Sequence, residues 1–89
     1  METRVALIGI IVETPDSVEQ MNALLHQYGS YIIGRMGLPY REKGISIISI
    51  VVDAPMNVIN SISGKLGMLD GVTSKAVYSK APQDTTNGK

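Results

Sequence analysis

The chain of 89 residues has no cysteine, no tryptophan and no phenylalanine, and only one histidine. Without cysteine there are no disulfides and no thiolate metal sites. A lone His26 leaves little for the usual imidazole metal centres, and no Ser-His-Asp or Cys-His set can be assembled into a nucleophilic site. Net charge of one sign is missing too: eight basic residues balance eight acidic ones. Nucleic-acid modules carry a basic excess or stripe because phosphate neutralisation supplies most of their affinity, so direct nucleic-acid binding is not expected. Long apolar runs are absent. The most apolar early segment, residues 5–12, falls far short of the about 20 residues of a membrane span, and no apolar stretch follows a basic start as in a signal peptide. The expectation is a cytoplasmic protein with no membrane partner, no metal and no cofactor.

What is present reads as one small domain over residues 1–80, with a polar, aperiodic tail at 81–89 expected to be disordered. Residues 4–13, RVALIGIIVE, make a strand in which both alternating sets, Val5, Leu7, Gly9, Ile11 and Ala6, Ile8, Ile10, Val12, are apolar or small. A helix follows over about residues 17–28. Val18, Met21, Leu25 and Tyr28 form its apolar stripe, widened by Leu24, with Asp16 and Glu19 spaced as a capping box and Gly29 as the stop. His26 falls on the other side and reads as a solvated residue. A second strand spans residues 31–36. The loop GRMGLPYREKG comes next, and then a third strand, ISIISIVVD at 45–53, apolar on both faces.

Pro55 suits the first turn of a second helix, whose stripe is Val58, Ile59, Ile62, Leu66 and Leu69. Gly64 would let that helix approach a neighbour, and Gly67 and Gly71 end it. The last strand, residues 72–79, carries Lys75 as an edge strand does. The order βαββαβ with right-handed crossovers predicts an α+β ferredoxin-like/ACT-like sandwich: a four-stranded antiparallel sheet, ordered 4-1-3-2, with two helices on one face. The first and third strands, central in that order, are the two that are apolar on both faces. Helices cover only one face, so another copy of the chain is expected to cover the other. The partner expected is therefore self, as a homo-dimer or tetramer through the sheet face and edges.

Local motifs are weaker. GRMG matches the GxxG of KH domains, but there it joins two helices and here it ends a strand. SGKLG contains Gly-Lys, yet Ile59 stands where a P-loop needs glycine and Leu66 where it needs Ser or Thr. The central strands carry Ile and Val in place of the aromatics on which RNA-binding domains of this topology stack bases. No acid/base or nucleophile constellation is visible, so no catalytic residue is assigned and an enzyme is not expected. Glu13, Asp16 and Glu19, near the first helix start, are explained by a cap and the helix dipole. Arg35, Arg41 and Lys43 form the one basic cluster. Either they are a solvated hairpin compensated by Glu42, or they hold an anion or small ligand at a subunit interface. Tyr40 would stack on such a ligand or simply pack.

NALLHQY, IIGRMGLPYREKGISIISIVV and SGKLGMLDGV together resemble the iron-only hydrogenase system regulator family, over about residues 5–80. The most specific parts are R-x-G-x-P-x-R-E, from Arg35 to Glu42, and S-G-K-L-G, from Ser63 to Gly67. The resemblance implies a short ACT-like, ferredoxin-like protein, akin to the C-terminal sensing domain of the nickel-responsive regulator. It implies an oligomeric, non-enzymatic regulatory role through a ligand or partner protein. It does not bring a nickel site, since the second and third strands contain neither His nor Cys, nor a ribbon-helix-helix DNA-binding domain ahead of the first strand. ACT-like domains often bind amino acids near a glycine-containing loop after the first strand; residues 13–16 here contain no glycine. On this reading the ligand or interface residues are Arg35, Tyr40, Arg41, Glu42 and Lys43. The alternative is an oligomeric scaffold or accessory subunit without a small ligand.

Overall fold

Alternation along β1 (Arg4–Val12) divides the sheet into two unlike faces. Ala6, Ile8, Ile10 and Val12 are buried, whereas Val5, Leu7 and Ile11, pointing the other way, are exposed. The computed structural model describes residues 2–80; the tail at 81–89 lies outside them. β1 pairs antiparallel with β3 (Ile45–Ala54) on one side and β4 (Val72–Tyr78) on the other. β3 in turn pairs with β2 (Ile32–Tyr40), so the sheet order is β2-β3-β1-β4, all antiparallel. Read from the other end, that is the expected 4-1-3-2. The two helices, α1 (Val18–Gln27) and α2 (Met56–Gly67), complete the βαββαβ order.

The core lies between the sheet and the helices. Met21 and Leu25 of α1 and Ile59, Ile62 and Leu66 of α2 pack onto Ile8, Ile10, Ile48, Ile50 and Val52. Each such side chain contributes about 1.5–3 kcal/mol on burial, which is why a chain this short holds together around so few of them.

Two local expectations are corrected and two are refined. No Asp16 capping box forms. Residues Pro15–Ser17 make a short 3-10 turn, and no side chain caps the start of α1. Ser17 is buried there, and its hydroxyl instead donates to the carbonyl of Asp70 at 2.5 Å. A buried bond of this kind is worth about 1 kcal/mol net, and leaving its acceptor unpaired costs more. Gly29 stands just past the end of α1, as expected, but without a positive φ; it opens a second 3-10 turn, Gly29–Tyr31. Gly67 is the last residue of α2, and the left-handed turn falls later, at Gly71, with φ +69°. Gly64 faces open space rather than a neighbouring element, since a Cβ there would meet nothing within 4 Å.

The largest difference concerns β2. It does not stop at Met36 but runs to Tyr40, with a bulge at Ile33, and Pro39 pairs opposite Ser46. Among the described residues, β2 is an edge strand with a sheet partner on one side only. Such a strand tolerates proline and glycine that a central strand would not. The turn is accordingly short: Arg41–Lys43 in 3-10 form, closed by Gly44 at φ +66°, whose amide donates to the Arg41 carbonyl at 3.1 Å.

Candidate functional site

The pairing of β2 with β3 decides where each candidate side chain points. Arg35, Gly37 and Pro39 lie opposite Ile50, Ile48 and Ser46, on the face that carries the helices. Gly34, Met36, Leu38 and Tyr40 lie opposite Val51, Ser49, Ile47 and Ile45, on the open face. The five candidates are therefore not one cluster. Arg35 reaches towards α1, and its Nη2 donates to Oδ1 of Asn22 at 2.6 Å. The Tyr40 hydroxyl donates to Oε1 of Glu42 at 2.8 Å. Arg41 and Lys43 stand exposed in the turn beside them.

A trough runs along the helix side of this hairpin. One part, about 310 Å³, is bordered by Met21, Asn22, Arg35, Gly37 and Ile48. An adjoining hollow of about 180 Å³ is bordered by Thr14, Pro15, Tyr40 and Arg41. Val18, Pro39 and Ser46 line both parts. The first part is open above Gly37, where a Cβ would meet nothing within 4 Å. Its walls are mostly apolar, and an arginine borders each part. That chemistry suits a small molecule with an apolar body and an anionic group. Glu42 and Lys43 are not among its lining residues. Asn22, which orients Arg35, was not singled out in the sequence. Nor was the Lys65–Tyr28 pair, in which Nζ donates to the hydroxyl at 2.9 Å and ties α2 to the end of α1. Asn22, Tyr28 and Lys65 all fall within the quoted motif stretches, which was the one available signal.

The second surface is the open sheet face. Val5, Leu7, Ile11, Met36, Leu38, Ile47 and Val77 are all exposed on it. A hollow of about 290 Å³ interrupts it where Gly9 and Ser49 sit side by side between Ile11, Ile47 and Lys75. Among the described residues, no group of three or more His, Cys, Asp or Glu side chains is gathered as a metal site requires. No helix there is long and apolar enough to cross a membrane.

Sheet order and helix placement define a small α+β protein of the ferredoxin-like class. The TM1266-like family, described as "Iron-only hydrogenase system regulator, putative", matches residues 4–76, and the chain belongs to it. Among solved structures, the chain is similar to the uncharacterized protein TM1266 from Thermotoga maritima. The TM-score is 0.86 at 36% identity, over 89% of this chain and 100% of that one. No curated protein matches.

Proposed function

We propose that this protein is a non-enzymatic, cytoplasmic regulator in an iron-only hydrogenase system. It works as a homo-oligomer joined through the open sheet face and responds to a small ligand or a partner protein at the hairpin. The observation that carries this reading is the apolar face of β1 and β3, which no other element covers among the described residues. Exposed apolar side chains contiguous over several strands mark a surface for association. The family description supports the pathway. Loss of the gene is expected to change hydrogenase maturation or expression in the host, and an unchanged hydrogenase would overturn that assignment.

The trough separates the sensor reading from the scaffold reading. A ligand that binds only the folded protein raises its melting temperature by mass action. In thermal melts against amino acids, nucleotides and metals, a sensor gains stability with one class, and the Arg35→Ala/Arg41→Ala double variant loses that gain. A flat response to every class favours the scaffold. One observation stands on the scaffold's side: Arg35 already has a partner in Asn22.

A further inference from the structure

Two charged residues occupy strand positions on the open face, Asp53 on β3 and Lys75 on β4. Pairing places them on a grid. One row reads Met36, Ser49, Gly9, Lys75; the next reads Gly34, Val51, Leu7, Val77; in the third, Asp53 lies beside Val5. Leu7 is therefore the midpoint between Lys75 and Asp53, one strand and one row from each. With strands ~4.8 Å apart and alternate residues ~6.8 Å apart, the two charges stand ~17 Å from each other, too far for an ion pair within one chain.

We infer that the occupant of this face is a second copy of the chain, packed face to face about a two-fold axis that lies over Leu7 and Met36, so that Lys75 of each copy meets Asp53 of the other. The inference rests on the oligomeric reading above and specifies its register. A two-fold in the plane of an interface exchanges any two positions placed symmetrically about it. On the grid spacings just given, the line from Leu7 to Met36 is perpendicular to the line from Lys75 to Asp53 and bisects it. One operation therefore satisfies both charges twice and leaves no unpaired charge under the sheet. It also stacks Met36, which is 68% exposed, on its own copy and seats Val77, 65% exposed, between Val5 and Leu7 of the other chain. Val51 then enters the hollow beside Gly9, where the chain's own side chains leave open space.

The strands of the two sheets cross at about 70° in this arrangement, nearer the orthogonal than the aligned class of sheet packing. At that crossing, sheets four strands (about 19 Å) wide overlap over roughly 400 Å² per copy at these spacings. Two copies then bury about 800 Å², the size of a weak or transient contact. A partner without matching charges would leave Lys75 and Asp53 unpaired beneath it, which is costly.

The test is a charge exchange followed by sedimentation equilibrium. Lys75→Glu and Asp53→Lys each place like charges together twice in the assembly and are expected to raise its dissociation constant about 100-fold or more. The double variant Lys75→Glu/Asp53→Lys restores the pairing and returns within about tenfold of the starting protein. Both positions are exposed in the single chain, and circular dichroism checks that each variant is folded. Because the chain has no cysteine, single cysteines give an independent measurement. Leu7→Cys and Met36→Cys are expected to cross-link to their own copies through a short bismaleimide, while Ile47→Cys, ~17 Å from its copy in the plane of the sheets on this grid, does not. A starting protein that is monomeric at micromolar concentration overturns the oligomeric reading itself. An oligomer that ignores the single charge changes, or is not recovered by the double one, overturns this register and leaves the oligomer standing.

Discussion

Replacing Gly71 with alanine is expected to cost about 3 kcal/mol, a large fraction of the roughly 5–15 kcal/mol that a domain has. Two effects add. Gly71 holds φ +69°, a left-handed conformation that costs other residues about 1–2 kcal/mol. A Cβ there would also lie 2.7 Å from Cγ2 of Thr14 and 3.3 Å from the Thr14 backbone nitrogen. The methyl of Thr14 can turn aside only by leaving its rotamer, and the backbone nitrogen cannot turn at all. The strain falls on a joint that matters, because the Glu13 amide donates to the Gly71 carbonyl at 2.8 Å and Ser17 bonds the adjacent Asp70. Those bonds hold the end of β1 and the start of α1 to the turn before β4. For a domain of this size the melting temperature should fall by on the order of 10–20 °C. Gly44→Ala separates the two effects: its φ is +66°, yet a Cβ there would meet nothing within 4 Å. It should lose only the backbone term, about 1 kcal/mol. Equal losses at the two glycines in urea titrations would show that the contact with Thr14 carries no weight.

Gly71 also illustrates which parts of the fold were legible in the sequence. The sheet order was, because Ile, Val and Leu on both sides of the first and third strands mark central strands whichever face the helices take. The two helical stripes were legible for the same reason: Met21 and Leu25, and Ile59, Ile62 and Leu66, are all among the buried residues. What was not legible depends on contacts made far along the chain. Nothing local says that Ser17 will bond a carbonyl 53 residues away and displace the expected Asp16 cap. Gly67 and Gly71 look alike as helix stops, and only the return of the chain against Thr14 makes the second one left-handed. Pro39 and its neighbouring glycines read locally as a turn, whereas the unpaired outer side of an edge strand accommodates them. Within the candidate site, Arg35, Tyr40 and Arg41 do border one trough, but Arg35 and Tyr40 face opposite sides of β2. Strand alternation depends on knowing that β2 continues and where it bulges, so that division is hidden while residues 34–44 read as a loop.

Changing Leu7 to glutamate should leave the single chain folded and break the assembly. Leu7 and Ile8 are neighbours in β1 and differ in where their burial comes from. Ile8 is 0% exposed within the chain, so Ile8→Ala leaves a cavity and costs about 2–5 kcal/mol in any oligomeric state. Leu7 is 45% exposed in the chain alone, and a polar change at such a position ordinarily costs within about 0.5 kcal/mol. Beneath a second copy, the same change removes a carboxylate from water with no partner to receive it, once from each side, and an unpaired buried charge costs several kcal/mol. Each 1.4 kcal/mol is a factor of ten, so association should weaken by at least about a thousandfold. Sedimentation of the variant should give the mass of one chain, with circular dichroism of the native kind. Its melting temperature should not depend on protein concentration, while that of the starting protein should rise with it, as mass action requires when only the folded form associates. A Leu7→Glu protein that keeps its oligomeric mass would move the interface to the strand edges. One that unfolds when dilute would mean that the chain needs its partner to fold at all. In that case the second layer over β1 and β3 belongs to the stability of the domain as well as to the proposed assembly.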